Sequence, residues 1–318
     1  LKQLFKYVSQ HRNLFNDGFI RLSQPSALND PFEASFCRKS LDELATYFDY
    51  STALDPVLGE VSFSKYIEYK MHHIGIISFS ESKENLLMWA HYADEHKGMV
   101  AGIVYNPNIN SIFYKLFRAD ALINSSLNVE WSPFDGAPKP VSYRKGLRYR
   151  NDMFDYDYSN ISVEGADRIL HEVFMQKSDE WIYEQEHRVV LRLEQADRVI
   201  IPSLNNIENI SIRGRLKKSS YTSREPVTGR IIINLLDVED DAERVEVAMT
   251  LANLSKDSNV MYFMKLSSAA INSCLLGLKS SLSNTCIPCE YVNSKGYFEF
   301  FKAKRNEDYY SLEFEKLC

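Results

Sequence analysis

Five short apolar runs constrain the architecture most. Residues 4–8, 19–23, 75–80, 99–105 and 188–193 are each of strand length and rich in Val, Ile, Leu and Phe. Irregular loops separate them, which argues against regular βαβ units and a doubly wound parallel sheet. The expected fold class is α+β, a split, mostly antiparallel β core with flanking helices. Further strands are expected at 141–144, 199–202, 231–235, 297–302 and 309–314. Helices are expected over much of 41–71, over 84–93 with an N-cap near Ser82, over 164–176, over 238–254, and over 267–276 ending near Gly277. Residues 214–220 read as an exposed loop.

The 318-residue length suits one large domain or two small ones. The expected division is a catalytic core at 1–202, an insertion at 203–262, and the C-terminal part of the same domain at 263–318. Net charge is −6, so no global positive field draws in nucleic acid. Arg144, Lys145, Arg148 and Arg150, interleaved with Tyr143 and Tyr149, form the densest basic and aromatic patch. It could hold a phosphate backbone or be a solvated face. Five scattered cysteines argue for a reducing compartment. The pair Cys286 and Cys289 lacks the second pair that a zinc site wants, and reads as two ordinary thiols. No run of 18 apolar residues and no signal-peptide core is present, so a cytoplasmic protein without membrane contact is expected. The sequence holds no internal repeat, P-loop, GxGxxG or GxSxG.

The chemistry is expected at residues 177–188, KSDEWIYEQEHR. Glu184 and Glu186 are spaced i, i+2 where the chain becomes extended, which on a strand puts both on one face. Like charges on one face need a cation, hydrogen bonds or a substrate to offset them. Two roles remain open: a solvated strand edge with Lys177 and Arg188 as counter-ions, or a reaction centre. Asn29, Asp30 and Glu33 lie in a loop that Pro31 stiffens, and form either a rigid turn or one wall of a cleft. Trp89, His91 and Tyr92 are expected on the same cleft as Glu186. Ser78 and Ser80 end a buried strand with two hydroxyls on one face.

Taken together these motifs resemble the bacterial family called domain of unknown function 2971. The matching stretches are LFKY at 4–7, LSQPSALNDPFE at 22–33, ISFS at 77–80, LMWAHYAD at 87–94, and the 177–188 segment, where a Trp is common at the position of His187. A second resemblance is to ADP-ribosyltransferases. These carry a basic or polar residue on a first strand, then a Ser-x-Ser-like strand, then a strand with the catalytic Glu. Lys6 and Tyr7, Ser78 and Ser80, and Glu184 and Glu186 follow in that order, with Lys6 where Arg or His is usual. The resemblance implies an ADP-ribosyltransferase-like fold with NAD as co-substrate and no metal. It implies Glu186 and Glu184 as catalytic residues. Lys6, Tyr7, Asn29, Asp30, Ser78, Ser80, Trp89, His91, Tyr92 and Arg188 would surround the NAD. It further implies a toxin or anti-phage effector acting on RNA, DNA or protein, with a neutralising antitoxin as partner. The alternatives are a metal-dependent nuclease or other hydrolase using Asp30, Glu33, His91, Glu184 and Glu186, and a non-catalytic binding module.

Overall fold

The computed structural model describes residues 2–10, 14–42, 53–55, 59–61, 63–106, 116–117, 133–147, 163–282 and 298–317. In chain order the first strands are β1 (Lys2–Val8), β2 (Phe19–Leu22), β3 (Ala53–Asp55), β4 (Gly59–Val61), β5 (Ile74–Ser80), β6 (Met99–Tyr105), β7 (Lys139–Pro140), β8 (Ser142–Arg144) and β9 (Gln176–Ser178). They are followed by β10 (Glu186–Arg192), β11 (Arg198–Ile201), β12 (Thr222–Arg224), β13 (Ile231–Asn234), β14 (Met261–Lys265), β15 (Ile271–Leu276), β16 (Glu299–Arg305) and β17 (Leu312–Lys316). The helices are α1 (Leu14–Asp17), α2 (Phe63–Lys70), α3 (Leu86–Tyr92), α4 (Val163–Phe174), α5 (Ile210–Lys218) and α6 (Asp241–Ala252).

The main sheet has the order β17-β16-β15-β6-β1-β5-β10-β7. Its pairs are antiparallel except β15 with β16. A second, antiparallel sheet has the order β12-β13-β11-β14-β2. The fold is therefore α+β with a mostly antiparallel core split between two sheets. Among the described residues no helix is long and apolar enough to cross a membrane.

Alternation along the strands explains how the sheets pack. Leu4, Ile77, Val189 and Leu191 of the main sheet share one core with Leu22, Val199, Ile201, Ile233 and Tyr262 of the second. Their neighbours Ile76 and Val190 face the opposite way, onto Ile67 of α2 and Leu170 of α4. Phe5 and Tyr7 pack with Met88 and Trp89 of α3. With both faces covered, these strands read as continuous apolar runs. Each fully buried Val, Leu, Ile or Phe contributes about 1.5–3 kcal/mol relative to exposure.

Residues 203–262 contribute α5, β12, β13 and α6, and with them much of the second sheet and the shared core. They also hold the start of the chain. Gln24 Nε2 donates to Val260 O at 2.7 Å and to Asp257 O at 3.3 Å, and Ser26 Oγ donates to Ser255 O at 2.6 Å. The loop that continues to Glu33 is thus moored on residues more than 200 positions away.

Four expectations are corrected. Residues 53–55 and 59–61, inside the span read as helical, are strands that pair antiparallel. Residues 271–276 form a strand, not a helix. Ile271, Cys274, Leu275 and Leu276 are all buried, and a short apolar run buried on both faces carries no period that separates strand from helix. Gly277 is no helix cap either. A Cβ there would meet His96 O at 2.2 Å, so glycine permits a close backbone approach. Residues 210–218 form a helix where a loop was read. Asn209 caps it, its Oδ1 accepting from Ile212 N, and Ile212 and Leu216 bury one face at i, i+4 despite Gly214. Finally, α3 is capped by Asn85, whose Oδ1 accepts from Leu87 N and Met88 N, while Ser82 Oγ accepts from Glu84 N ahead of the helix. Arg148, Tyr149, Arg150, Cys286 and Cys289 lie outside the described residues.

Candidate active site

Strands β1, β5 and β10 lie side by side, with Phe5 opposite Ser80, Ser80 opposite Glu186, and Ser78 opposite Arg188. The three sequence elements that resembled a transferase therefore occupy adjacent strands. Just before β10 the chain makes a 3-10 turn, Asp179–Glu184, whose N-cap Ser178 accepts from Glu180 N. Gln185 then adopts a left-handed conformation, φ 46° and ψ 51°. Glu184 and Glu186 converge, but through this left-handed residue and not through strand periodicity as the spacing alone suggested. Ser80 Oγ fixes the turn by donating to Glu184 O at 2.7 Å, and Glu81 N donates to Gln185 O. A β-branched residue at 185 is strained in this region. Gln185→Val should therefore lower stability by about 1–2 kcal/mol, while Gln185→Gly should be neutral or better, as read by denaturant melts of both variants.

Both carboxylates meet Lys177, which β9 delivers by pairing in parallel with β8, Tyr143 opposite Lys177. Lys177 Nζ lies 2.5 Å from Glu184 Oε2, 3.0 Å from Glu186 Oε2 and 3.0 Å from Glu33 Oε1. Arg188 Nε donates to Glu186 Oε1 at 2.7 Å, its Nη2 to Glu186 Oε2 at 3.0 Å, and its Nη2 also pairs with Glu33. Tyr143 Oη accepts from Glu186 N at 2.7 Å. Three carboxylates and two cations thus form one buried network. Lys177 and Arg188 are counter-ions, as one of the two open roles had it, but in the interior and not on a solvated edge.

Their surroundings shift the two carboxylates in opposite directions from the ordinary carboxylate range. Burial by itself would raise Glu186, but Arg188 and Lys177, helped by hydrogen bonds from Arg188 and Ser78, hold it down at about 2. Burial raises Glu184, and Lys177 and the Tyr92 hydroxyl, which donates to Glu184 Oε1 at 2.6 Å, only partly oppose this. Burial and the Glu184 hydrogen bond push Tyr92 up in turn. A depressed carboxylate stabilises the fold above its ordinary pKa of 4.5 and loses that contribution as pH falls toward the folded value of about 2. The Glu186 share of stability should therefore be complete near neutrality and drain away between roughly pH 5 and 2. Wild type should melt more easily over that window, and a Glu186→Gln protein should show a flatter pH profile there.

A cleft of about 380 Å³ opens beside this network. Of the residues read from the sequence, Lys6, Tyr7, Asn29 and Asp30 line it, as do Glu33, Ser78, Ser80, His91, Tyr92, Glu184 and Glu186. Lys6 Nζ donates to Ser78 O at 2.8 Å, and Tyr7 Oη to Ser82 O at 2.8 Å. Two residues do not line the cleft. Trp89 is fully buried with its ring edge-on to Tyr7 and its Nε1 donating to Lys83 O, so it is a core residue. Arg188, 1% exposed, holds the carboxylates from behind. Sequence reasoning missed Trp181, whose ring lies 5.1 Å from Lys177 Nζ and lines the cleft, and Lys177 itself as a lining residue. Both stand in the segment singled out for its chemistry, so the signal was there without an assignment.

Among the described residues no group of three or more His, Cys, Asp or Glu is placed to hold a metal ion. Where Glu33, Glu184 and Glu186 converge, the Lys177 ammonium already occupies the position a cation would take. No curated protein and no solved structure matches the chain. A family model does match, over residues 88–189, which covers α3 through the first half of β10 and leaves the motifs at 4–7 and 22–33 outside it. Over that stretch, less than half of its length, the chain carries the signature of the family described as "Protein of unknown function (DUF2971)".

Proposed function

We propose that this chain is an NAD-dependent ADP-ribosyltransferase with its reaction centre in the cleft beside β1, β5 and β10. The observation that supports this reading is the pair Glu184 and Glu186, whose surroundings pull their titrations apart. Such divergence marks distinct roles for two acidic groups in one site. Glu186, kept ionised, is a fixed anion beside the ribose carbon. Cleaving the C–N glycosidic bond of NAD leaves positive charge there while nicotinamide departs with the bonding electron pair, and a preorganised carboxylate stabilises that charge. Glu184, with its raised affinity for a proton, accepts the proton of the acceptor nucleophile as the new bond to the ribose carbon forms. Lys6, which donates to Ser78 O, and Arg21, which donates to Gln24 Oε1 and Val260 O, line the cleft and supply the positive charge for the pyrophosphate.

The acceptor is a nucleic acid or a protein, and by analogy with transferases of bacterial conflict systems the chain acts as a toxin or anti-phage effector held in check by an antitoxin. The test is incubation with labelled NAD and mixed RNA, DNA and protein acceptors. Nicotinamide release with label on one acceptor class is expected, undiminished by a chelator. Activity that vanishes with chelator would favour the hydrolase reading, and intact NAD with every acceptor would refute the transferase.

A further inference from the structure

We propose that Asp30 is a ligand-binding residue that receives the cationic, N–H-bearing end of the ligand, which on the transferase reading is the nicotinamide ring of NAD. Asp30 lines the cleft and is 7% exposed. Its Oδ1 closes the turn by accepting from Phe32 N at 2.9 Å, and its backbone carbonyl accepts from Glu33 N. Its Oδ2 is buried and has no hydrogen-bond partner among the described residues. An ionised carboxylate accepts hydrogen bonds and donates none, so the missing partner is an N–H or O–H group. Buried polar atoms of this kind are satisfied in nearly all folded proteins, and an exception in a cleft-lining residue points to a ligand that reaches it by a small shift of the side chain.

The surrounding charge selects among donors. Five carboxylates line the cleft: Asp30, Glu33, Asp94, Glu184 and Glu186. Against them stand Lys6, Arg21 and Lys177 on the lining and Arg188 just behind it, so the carboxylates outnumber these cations by one. A positively charged donor is favoured over a neutral hydroxyl, because its hydrogen bond to a carboxylate is charge-assisted and the cleft field adds to it. Tyr92 and Trp181 supply aromatic faces on the same cleft, a setting that suits a flat cation. The pyridinium ring of NAD is such a cation, and its carboxamide carries the N–H that Oδ2 lacks. Once the glycosidic bond breaks, the ring becomes neutral nicotinamide and loses its charge preference for the cleft, which favours departure of the product.

The probe is 1-methylnicotinamide, which keeps the cationic ring and carboxamide, compared with neutral nicotinamide in titration calorimetry on the full chain. Wild type should bind the cation about tenfold more tightly than the neutral ring. Asp30→Asn should erase most of that preference, and so should Asp30→Ser, whose hydroxyl can close the same turn if the amide disturbs it. Equal binding of the two rings by wild type, or no binding of the cation, overturns the proposal, as does an unchanged preference in either folded variant. Because binding is read without turnover, the outcome is separable from the transferase reading. Asp30-dependent cation binding with no NAD consumption would leave Asp30 a cation site and sink the transferase, whereas NAD consumption indifferent to Asp30 would do the reverse.

Discussion

Replacing Glu186 by Gln is expected to remove nearly all activity and several kcal/mol of stability together. Read as a strand-edge residue, this position would tolerate the change within about ±0.5 kcal/mol. Its setting forbids that. Glu186 is 3% exposed and neutralises Arg188 and Lys177, both buried themselves. Removing one partner of a buried ion pair typically costs about 3–5 kcal/mol, since the other charge stays desolvated. Glu33 still faces both cations, so the lower end of that range is expected. Losing the fixed anion should also cut turnover about a hundredfold to a thousandfold per folded molecule. Denaturant midpoints and NAD consumption, corrected for the folded fraction, measure the two effects separately. A Glu186→Gln protein of wild-type stability would show that the ion network is worth little, and one with full NAD turnover would rule out the mechanism.

The Glu184→Gln variant should behave differently. The fold already disfavours the charged form of Glu184, so removing the charge gives up less than it does at 186. Gln can still accept from the Tyr92 hydroxyl, and Lys177 keeps Glu33 and Glu186. The expected stability change is within about 1 kcal/mol. Proton acceptance is lost outright, and general-base removal typically costs about a hundredfold to ten-thousandfold. Transfer to the acceptor should suffer by that factor while NAD hydrolysis, in which water can lose its proton to solvent, falls much less. Acceptor labelling and nicotinamide release measured on one sample distinguish the two. Equal loss of both would remove Glu184 from the acceptor side.

Much of the architecture was legible because strand-length apolar runs such as 75–80 and 188–193 have few alternatives. Residues 271–276 were not, because burial on both faces erases the period that would have identified them. For the site, the segment around Glu184 and Glu186 was identifiable from its carboxylate spacing, and the 29–33 loop from its turn chemistry. That Glu33 of this loop would close the ion network of Lys177 and Arg188 was not legible, since 155 residues separate Glu33 from Arg188 and only the folded sheets bring them together. Trp89 misled for a related reason. An aromatic in a polar neighbourhood reads as a cleft residue, but helix α3 turns that side chain inward onto Tyr7.

The mooring of residues 24–26 on residues 255–260 sets the order in which this molecule can come alive on the ribosome. Every cleft carboxylate has been synthesised once Glu186 leaves the exit tunnel, and Glu33 can then meet Lys177 and Arg188, yet Gln24 and Ser26 at the head of its loop still lack their partners at 255–260. Among the described strands β2, just before that loop, pairs with β14, made later still, while Ser23 bridges Ile76 of β5. Such distant pairings close slowly and last. On the proposed reading, a partly made chain is therefore expected to have little transferase activity until residues 255–265 emerge.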